Sequence, residues 1–237
     1  MNLLLLHPDD FKKENEVTLS GRRFKHLNEI VKPKIEQVLD VGLLNGKTGA
    51  GSVISIDSQS ITLAITLNKN PPVPSPLTLI LALPRPLMLK RILQTVTTMG
   101  IKQIHLINSQ RVEKSYWNSS DLTQEVIHHQ LILGLEQACD TVLPDIHFHK
   151  HFKSFVSSEL SNLTQGKQAL MAHLGNYPPC PTNIQQHTLL AVGPEGGFID
   201  HEIKSFINAG FQMIQIGERP LRVEAAVTAL LGRLLPI

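Results

Sequence analysis

The chain has 237 residues, of which 42% are hydrophobic and 18% charged, and its formal net charge is +2. This composition argues against intrinsic disorder, because the chain has enough apolar surface to offset its conformational entropy. The length suits one large or two unequal domains. The apolar run at 3–6 is too short for a signal peptide or a membrane span and is followed by Pro8, Asp9 and Asp10. We therefore expect a cytoplasmic protein with no membrane segment.

A proline-rich segment divides the chain. Four prolines occupy positions 71–76, a density that favours an extended connector over helix or central strand. We therefore predict two domains, 1–70 and 71–237. Alternating apolar and polar residues predict strands in the first domain at 38–41, 53–56 and 61–67. Together with a turn at Asn45-Gly46 and one helix over 22–31, these strands predict a small β barrel for the first domain.

The hydrophobic pattern changes after the linker. Apolar runs predict buried strands at 77–83, 101–107, 169–173, 188–192 and 211–216. Apolar stripes at helical spacing predict helices over about 89–99, 121–138, 200–209 and 221–235. Asp121, with Gln124 three residues later, is the expected cap of the second of these helices. The βαβ rhythm indicates an α/β domain with a mostly parallel sheet covered on both faces.

Two glycine-bearing turns each follow an apolar strand, at 193–198 and 217–224. Ligands in open α/β sheets bind at the carboxyl ends of strands, where glycines let the backbone approach a ligand closely. Each turn also leads into a predicted helix, with Asp200 as the expected cap of the first and Glu224 in the first turn of the second. An ordinary strand-to-helix turn would explain one such loop, but two that carry Glu and Arg favour a binding site.

Other catalytic and nucleotide-binding motifs fail on spacing. Gly46-Lys47-Thr48 ends like a phosphate-binding loop, but Val41 stands where that motif needs glycine. No G-x-G-x-x-G follows a strand, and no G-x-S-x-G elbow is present. These absences argue against a dinucleotide enzyme and a serine hydrolase.

The histidines and cysteines do not form a recognisable metal motif. His147, His149 and His151 alternate along an extended segment, but no cysteine or carboxylate cluster lies near them in the sequence. We therefore predict a solvated edge strand and no metal. Cys139 and Cys180 match neither a zinc spacing nor a disulfide framework, which favours reduced structural thiols.

The two glycine turns carry a family resemblance. The segments LAVGPEGGF at 190–198 and IGERPLRVEAA at 216–226 closely resemble the paired signatures of bacterial enzymes that methylate uridine N3 in 16S ribosomal RNA, members of the SPOUT superfamily. The resemblance implies a trefoil-knotted SPOUT methyltransferase domain, an amino-terminal PUA-like RNA-binding barrel, a homodimer and S-adenosylmethionine as cofactor. The apolar face of the final helix adds a reason to expect a dimer; it comprises Val227, Leu230, Leu231 and Leu234.

The chain departs from the family pattern at three places. Ala225 replaces a threonine, Thr98-Met99 replaces Glu-Leu, and Val112 follows Arg111 where the family has serine. We expect these positions on the surface that faces the target, so they leave the exact nucleotide open. The alternatives are a SPOUT methyltransferase acting on another RNA position, including a ribose 2′-hydroxyl, and a non-catalytic RNA-binding ribosome assembly factor.

The resemblance and the chemistry of methyl transfer suggest roles for the loop residues. Uracil N3 is nucleophilic only after its imide proton leaves, so a nearby cation would help. We predict Arg222 as that cation, with a salt bridge to Glu195 or Glu224 as its alternative role, and these two carboxylates as the possible bases or arginine-orienting partners. The predicted cofactor-binding residues are His173, Leu174, Gly193, Gly196, Gly197, Ile216, Gly217, Leu221 and Arg222.

A basic patch in the first domain suits RNA. Between positions 12 and 34, seven Lys or Arg stand against three Glu. Such a patch matches a phosphate backbone, although a solvated face explains it nearly as well. The predicted RNA-binding residues across the chain are Arg22, Arg23, Lys25, Arg85, Lys90 and Arg91.

Overall fold

The computed structural model describes residues 2–236 and divides into two units. The first comprises Met1–Val73 with Ile132–Leu143, and the second comprises Pro74–Leu131 with Pro144–Ile237. The division at Val73 lies within the proline-rich segment. The assignment of 132–143 to the first unit was not predicted, because the packing that causes it joins residues far apart in sequence. Ile132 and Leu135 form a buried cluster with Leu3 and Leu5.

The first unit is built on a six-stranded mixed sheet. Its strands are β1 (Leu4–Leu6), β2 (Phe11–Lys13), β3 (Glu16–Leu19), β4 (Val38–Leu43), β5 (Thr48–Ile56) and β6 (Ile61–Lys69). They lie in the order β1-β4-β5-β6-β3-β2, with β1 parallel to β4 and the other pairs antiparallel. Helix α1 (Gly21–His26) continues into a π-helical turn, Leu27–Val31, which confirms the predicted helix. Asn45 adopts a positive φ of 57° in the turn between β4 and β5, as expected.

The second unit is an α/β domain with an entirely parallel sheet, which confirms the predicted fold class at this level. Its strands are β7 (Leu77–Ala82), β8 (Gln103–Ile107), β9 (Asp145–His149), β10 (Gln168–Ala172), β11 (Thr188–Val192) and β12 (Gln212–Ile214). Their order is β12-β10-β11-β7-β8-β9. The central strands β7 and β11 are buried at every position, as a parallel sheet covered on both faces requires.

Within residues 2–236, six further α-helices follow. They are α2 (Pro86–Thr98), α3 (Gln124–Ala138), α4 (Phe152–Phe155), α5 (Ser161–Thr164), α6 (Asp200–Asn208) and α7 (Val223–Leu234). The sequence did not predict α4 and α5, because four-residue helices are too short to show a periodic apolar face. Within residues 2–236, no helix combines the length and the apolarity that a membrane span needs.

The predicted cap of α3 is wrong. Asp121 lies before the helix in a short 3-10 turn, Ser120–Leu122, and its carboxylate forms an ion pair with the Lys90 ammonium group at 2.7 Å. Thr123 is the residue that precedes α3, and its hydroxyl accepts the Val126 backbone N–H at 3.4 Å. A threonine next to the helix can reach the first free N–H groups more directly than an aspartate three residues upstream.

The predicted cap of α6 is also wrong. Asp200 is the first helical residue, and Ile199 precedes it. The buried Glu202 carboxylate accepts the Ile199 backbone N–H at 3.0 Å and the Gln110 backbone N–H at 2.7 Å. Glu202 thus satisfies a free donor at the helix start, which leaves the Asp200 side chain without that role.

The apolar face of α7 lies in the core of its own unit. Val227, Leu230, Leu231 and Leu234 are each 0% exposed. The expectation that this face has surplus apolar surface for a partner is therefore wrong. The homodimer stays a prediction that rests on the family resemblance.

Candidate functional site

A cavity of about 480 Å³ lies beside the carboxyl ends of three adjacent strands, β10, β11 and β12. Its walls come from the residues that follow each of these strands, together with part of α7. This volume is typical of a site for a small organic ligand. The position agrees with the general rule that ligands bind at the carboxyl edge of an open α/β sheet.

The cavity brings together most of the residues predicted to bind a cofactor. Those that line it are His173, Leu174, Gly193, Gly196, Gly197, Ile216, Gly217 and Leu221. His173 and Leu174 follow β10, and the His173 Nδ1 lies 2.8 Å from the Leu174 carbonyl oxygen. The remaining predicted position, Arg222, is not among the lining residues. Cofactor binding by these residues stays a prediction.

The glycines of the 193–197 loop let it fold tightly. A Cβ on Gly193 would lie 3.2 Å from the Phe198 backbone nitrogen and 3.3 Å from the Gly197 Cα, atoms that no side-chain rotation can move. Gly197 has a φ of 72°, a left-handed conformation that disfavours other residues. Glycine at position 193 therefore leaves space for the tight loop, and glycine at position 197 suits its backbone conformation.

The loop after β12 is held by its own side chain. The Gln215 Oε1 accepts the backbone N–H of Gly217, a glycine with a φ of 139°. Both residues line the cavity. The amide of Gln215 thus fixes the backbone of the second glycine loop where it borders the cavity.

Two carboxylates border the cavity. Glu195 is exposed at the tip of the first loop, and its Oε1 accepts the Arg85 backbone N–H at 3.1 Å. Asp200, which was expected to act as a cap, also lines the cavity. Glu224 lies half-buried in the first turn of α7, as predicted, but is not among the lining residues. Of the two predicted bases, only Glu195 borders the cavity.

The cavity contains two arginines that the sequence reasoning did not select. Arg111 and Arg219 line it, and Arg111 Nη1 donates a hydrogen bond to the Gly196 carbonyl. A Cβ on Gly196 would lie 3.0 Å from the Arg111 Cδ, so glycine there makes room for the arginine. Arg219 lies in the second glycine turn, at 217–224, and that position was a reason to expect it in the site. Arg111 is 85 residues from Gly196, and no sequence spacing connects them.

Arg222 is exposed and immediately precedes α7. Within the described part of the chain, no ion pair or hydrogen bond engages its guanidinium, so the alternative of a salt bridge to Glu195 or Glu224 is not formed. A free guanidinium three residues beyond Arg219 is available to a ligand outside the cavity.

The predicted RNA-binding residues of the first unit have different surroundings. Arg23 donates two hydrogen bonds to Asp10, at 2.6 and 2.7 Å, and a third to the Leu5 carbonyl. Its side chain is only 17% exposed, so Arg23 has a structural role in this unit. Arg22 pairs with the buried Glu136 but keeps 42% of its side chain exposed. Lys25 is 73% exposed. RNA binding by these residues stays a prediction.

The three predicted RNA-binding residues of the second unit lie in or near α2. The Arg85 side chain is exposed, and the adjacent Tyr116 hydroxyl and Glu195 carboxylate raise its pKa. Lys90 is engaged by Asp121, whereas Arg91 is exposed. Arg85 and Arg91 therefore leave more of their charge accessible than Lys90 does.

One departure from the family pattern lies inside the protein. Val112 is 7% exposed and belongs to the core, so it does not lie on a surface that faces a target as we expected. Ala225 and Thr98 are exposed. Valine at position 112 buries no hydroxyl that would need a partner.

The histidines of β9 differ from expectation in two respects. The strand is at the edge of the sheet, as predicted, and His147 is exposed. His149 is not solvated, because its side chain is 8% exposed and packs against Phe155 at 4.6 Å between ring centroids. A carboxylate is also present that the sequence did not place nearby: the Glu159 Oε1 lies 3.2 Å from the His149 Nδ1.

A family model described as RNA methyltransferase domain matches residues 71–235. The chain belongs to the RNA methyltransferase family. Two curated relatives span nearly its whole length. The ribosomal RNA small subunit methyltransferase E of Treponema pallidum is 30% identical over 97% of this chain and 88% of its own length. Ribosomal RNA small subunit methyltransferase E 1 of Borreliella burgdorferi is 27% identical over 97% of this chain and 95% of its own length.

Solved structures share the fold of this RNA methyltransferase family member. A putative methyltransferase from Legionella pneumophila in complex with bound cofactor SAM has a TM-score of 0.75 at 19% identity, covering 97% of this chain and 95% of that one. A ribosomal RNA small subunit methyltransferase E from Neisseria gonorrhoeae bound to S-adenosyl methionine has a TM-score of 0.73 at 19% identity, covering 98% and 95%. The likeness extends over both units of the chain.

Proposed function

We propose that this chain transfers a methyl group from S-adenosylmethionine to N3 of a uridine in 16S ribosomal RNA. The observation that carries the proposal is the cavity itself. It is bordered by the two glycine loops whose sequences resemble the uridine-N3 methyltransferases, in a chain that belongs to the RNA methyltransferase family. The names of the Treponema and Borreliella relatives support small-subunit ribosomal RNA as the substrate.

The cavity fits this cofactor in chemistry as well as in size. The glycine loops present backbone N–H and C=O groups without side chains, which suits the hydrogen-bonding edge and hydroxyls of a nucleoside. Apolar walls from Leu174, Ile216 and Leu221 suit the flat faces of an adenine ring. The cavity lining carries charges of both signs, from the carboxylates of Glu195 and Asp200 and the guanidinium groups of Arg111 and Arg219. Such a lining suits a ligand that has cationic sulfonium and ammonium groups together with a carboxylate. When bound, S-adenosylmethionine supplies the methyl carbon on a positively charged sulfur that leaves as a neutral thioether.

The chain's own residues must then activate and hold the target base. In this proposal, the Glu195 carboxylate at the cavity rim accepts the imide proton of N3, and the N3 electron pair forms the new N–C bond. The exposed guanidinium of Arg222 donates to a uracil carbonyl and stabilises the negative charge that develops there. Glu195 is preferred to Glu224 as the base because it borders the cavity.

The family resemblance also supports the finer features of the architecture. We propose that the sheet of the first unit closes as a PUA-like RNA-binding barrel, that the loops of the second unit form a trefoil knot, and that the enzyme is a cytoplasmic homodimer that acts on ribosomal RNA. Light scattering tests the dimer: a mass near 26.3 kDa at micromolar concentration would contradict it.

The test of the function combines cells and purified protein. Ribosomal RNA from cells with and without the gene is digested to nucleosides and analysed by mass spectrometry for 3-methyluridine. In parallel, purified protein is incubated with S-adenosylmethionine and either naked 16S RNA or 30S subunits from the deletion strain. We expect 3-methyluridine to be lost with the gene and restored by the protein.

Other results would select the alternatives. A 2′-O-methylated nucleoside as the missing product would keep the enzyme class and reject N3 as the position. Unchanged RNA modification, together with failure to bind the cofactor at millimolar concentration, would favour the non-catalytic assembly factor.

A further inference from the structure

Two histidines and a glutamate converge at the sheet edge opposite to β12. His105 of β8 is 4% exposed, and its Nδ1 lies 3.0 Å from the Nε2 of His149. On the other side of the His149 ring, Nδ1 lies 3.2 Å from the Glu159 carboxylate. One possible ligand atom from each of the three residues falls within 4.8 Å of the others. The cluster uses none of the residues that line the cavity.

Both imidazoles are shielded from solvent. His105 is 4% exposed, and the side chain of His149 is 8% exposed. A neutral imidazole has one nitrogen without a proton, and that nitrogen is the one that binds a metal ion.

Hydrogen bonds define which nitrogen carries each proton. His149 Nδ1–H donates to Glu159, which leaves His149 Nε2 as an acceptor facing His105 Nδ1. A carboxylate that holds the outer N–H of a histidine is the arrangement found around metal-bound imidazoles, where it fixes the ring and raises its basicity. Moving the His105 proton to Nε2 would free its Nδ1 as a second ligand without changing the charge of the cluster.

Neighbouring residues give the cluster a defined shape and a route for an ion. His105 and His147 stack with 4.7 Å between ring centroids, and Phe155 packs against His149. Glu159 belongs to a π-helical turn, Val156–Leu160, and its side chain is 47% exposed. The two imidazoles are thus held in place, and the half-exposed carboxylate marks the side on which the cluster opens to solvent.

We propose that His105 Nδ1 and His149 Nε2 bind a divalent transition-metal ion, Zn²⁺, and that the Glu159 carboxylate holds the His149 ring from its outer side. The two facing nitrogens are 3.0 Å apart, close to the roughly 3.3 Å between ligand atoms of a tetrahedral zinc site with Zn–N bonds of about 2.0–2.1 Å. Imidazole is a ligand that Zn²⁺ accepts, and water would complete the coordination. The ion would join β8 to β9, and would be structural.

The experiment uses the full chain without a histidine tag, stripped of metal with a chelator. Zn²⁺ binding is measured by calorimetry, and Co²⁺ is used as a probe because its visible spectrum reports tetrahedral coordination. The variants are His149→Gln, which removes a ligand, and Glu159→Gln, an exposed change that leaves the histidine pair intact. The matched control is His129→Gln, because His129 is an exposed histidine on α3.

We expect the parental protein to bind one Zn²⁺ per chain with a Kd of about 1 μM or tighter. His149→Gln should weaken binding at least about a hundredfold and Glu159→Gln about tenfold, whereas His129→Gln should bind within about twofold of the parent. Circular dichroism confirms folding, and if His149→Gln does not fold, Glu159→Gln decides. No saturable binding at about 100 μM Zn²⁺, or equal binding by all the folded variants, would overturn the proposal and leave a hydrogen-bonded histidine pair. Neither result depends on methyltransferase activity.

Discussion

Replacing Arg222 with alanine separates catalysis from structure in this RNA methyltransferase. The side chain is exposed, precedes α7 and engages no carboxylate within residues 2–236. Its removal leaves no cavity in the core and no buried charge without a partner. The expected loss of stability is therefore under about 0.5 kcal/mol, which corresponds to a fall in Tm of about 1–2 °C for a domain of this size.

The effect on the reaction should be far larger. If the guanidinium stabilises negative charge on the uracil, its loss should lower kcat by at least about a hundredfold, the usual effect of removing one preorganised donor. Cofactor affinity should change by less than about twofold, because Arg222 does not line the cavity. Arg219, three residues earlier, does line it. Arg219→Ala should therefore weaken cofactor binding more than it lowers kcat.

The assay combines three measurements on both arginine variants and on Lys204→Ala, an exposed cation of α6 that is not part of the cavity lining. Thermal melting checks the fold, calorimetry gives the cofactor Kd, and methyl incorporation into deletion-strain 30S subunits gives kcat. A normally folded Arg222→Ala enzyme that works at the parental rate would refute the reasoning. A loss of cofactor affinity in proportion to rate would reassign Arg222 to cofactor binding.

Three further predictions follow from the geometry. Gly193→Ala forces the first glycine loop to widen by a few tenths of an ångström, and calorimetry should show a roughly tenfold weaker cofactor affinity with little change in Tm. Arg23→Ala leaves the largely buried Asp10 carboxylate without its arginine and should lower the free energy of unfolding in urea by about 2–4 kcal/mol. Lys13→Ala breaks an exposed ion pair with Glu16 and should lower it by under about 1 kcal/mol. Near pH 8, iodoacetamide should modify the exposed Cys139 and spare Cys180 until the protein unfolds, as mass spectrometry of peptides would show. Burial raises the pKa of the Cys180 thiol to about 11, and the reactive thiolate forms only as the pH approaches that value.

The parts of the fold that could be predicted from the sequence are those determined by a few consecutive residues. The apolar runs of β7 and β11 predicted buried strands, and the glycines after β11 and β12 predicted loops that approach a ligand. Each of these inferences needs only a few consecutive residues and a known period. Eight of the residues predicted to bind a cofactor were brought together for this reason.

The features that were missed depend on contacts between distant residues. Nothing near Arg111 indicates that it will reach the Gly196 carbonyl, and nothing near His149 indicates that Glu159 will face it. The failed caps have a different cause. Asp121 and Asp200 fit the local pattern, but Thr123 and Glu202, each two residues further along the chain, accept the free N–H groups instead.

The division between local and distant causes matches a division of roles in the site. A cofactor held by backbone groups needs loops of a defined shape. Glycines make such loops possible, and they are recognisable in the sequence. The reacting base needs a few charges at defined positions, and those depend on where each side chain points. Arg219 and Arg222 illustrate this, because three residues of one loop separate an arginine that lines the cavity from one that does not. In the proposed function, the glycine loops therefore account for cofactor binding, whereas the assignment of base and cation has to come from the folded structure and the variants that test it.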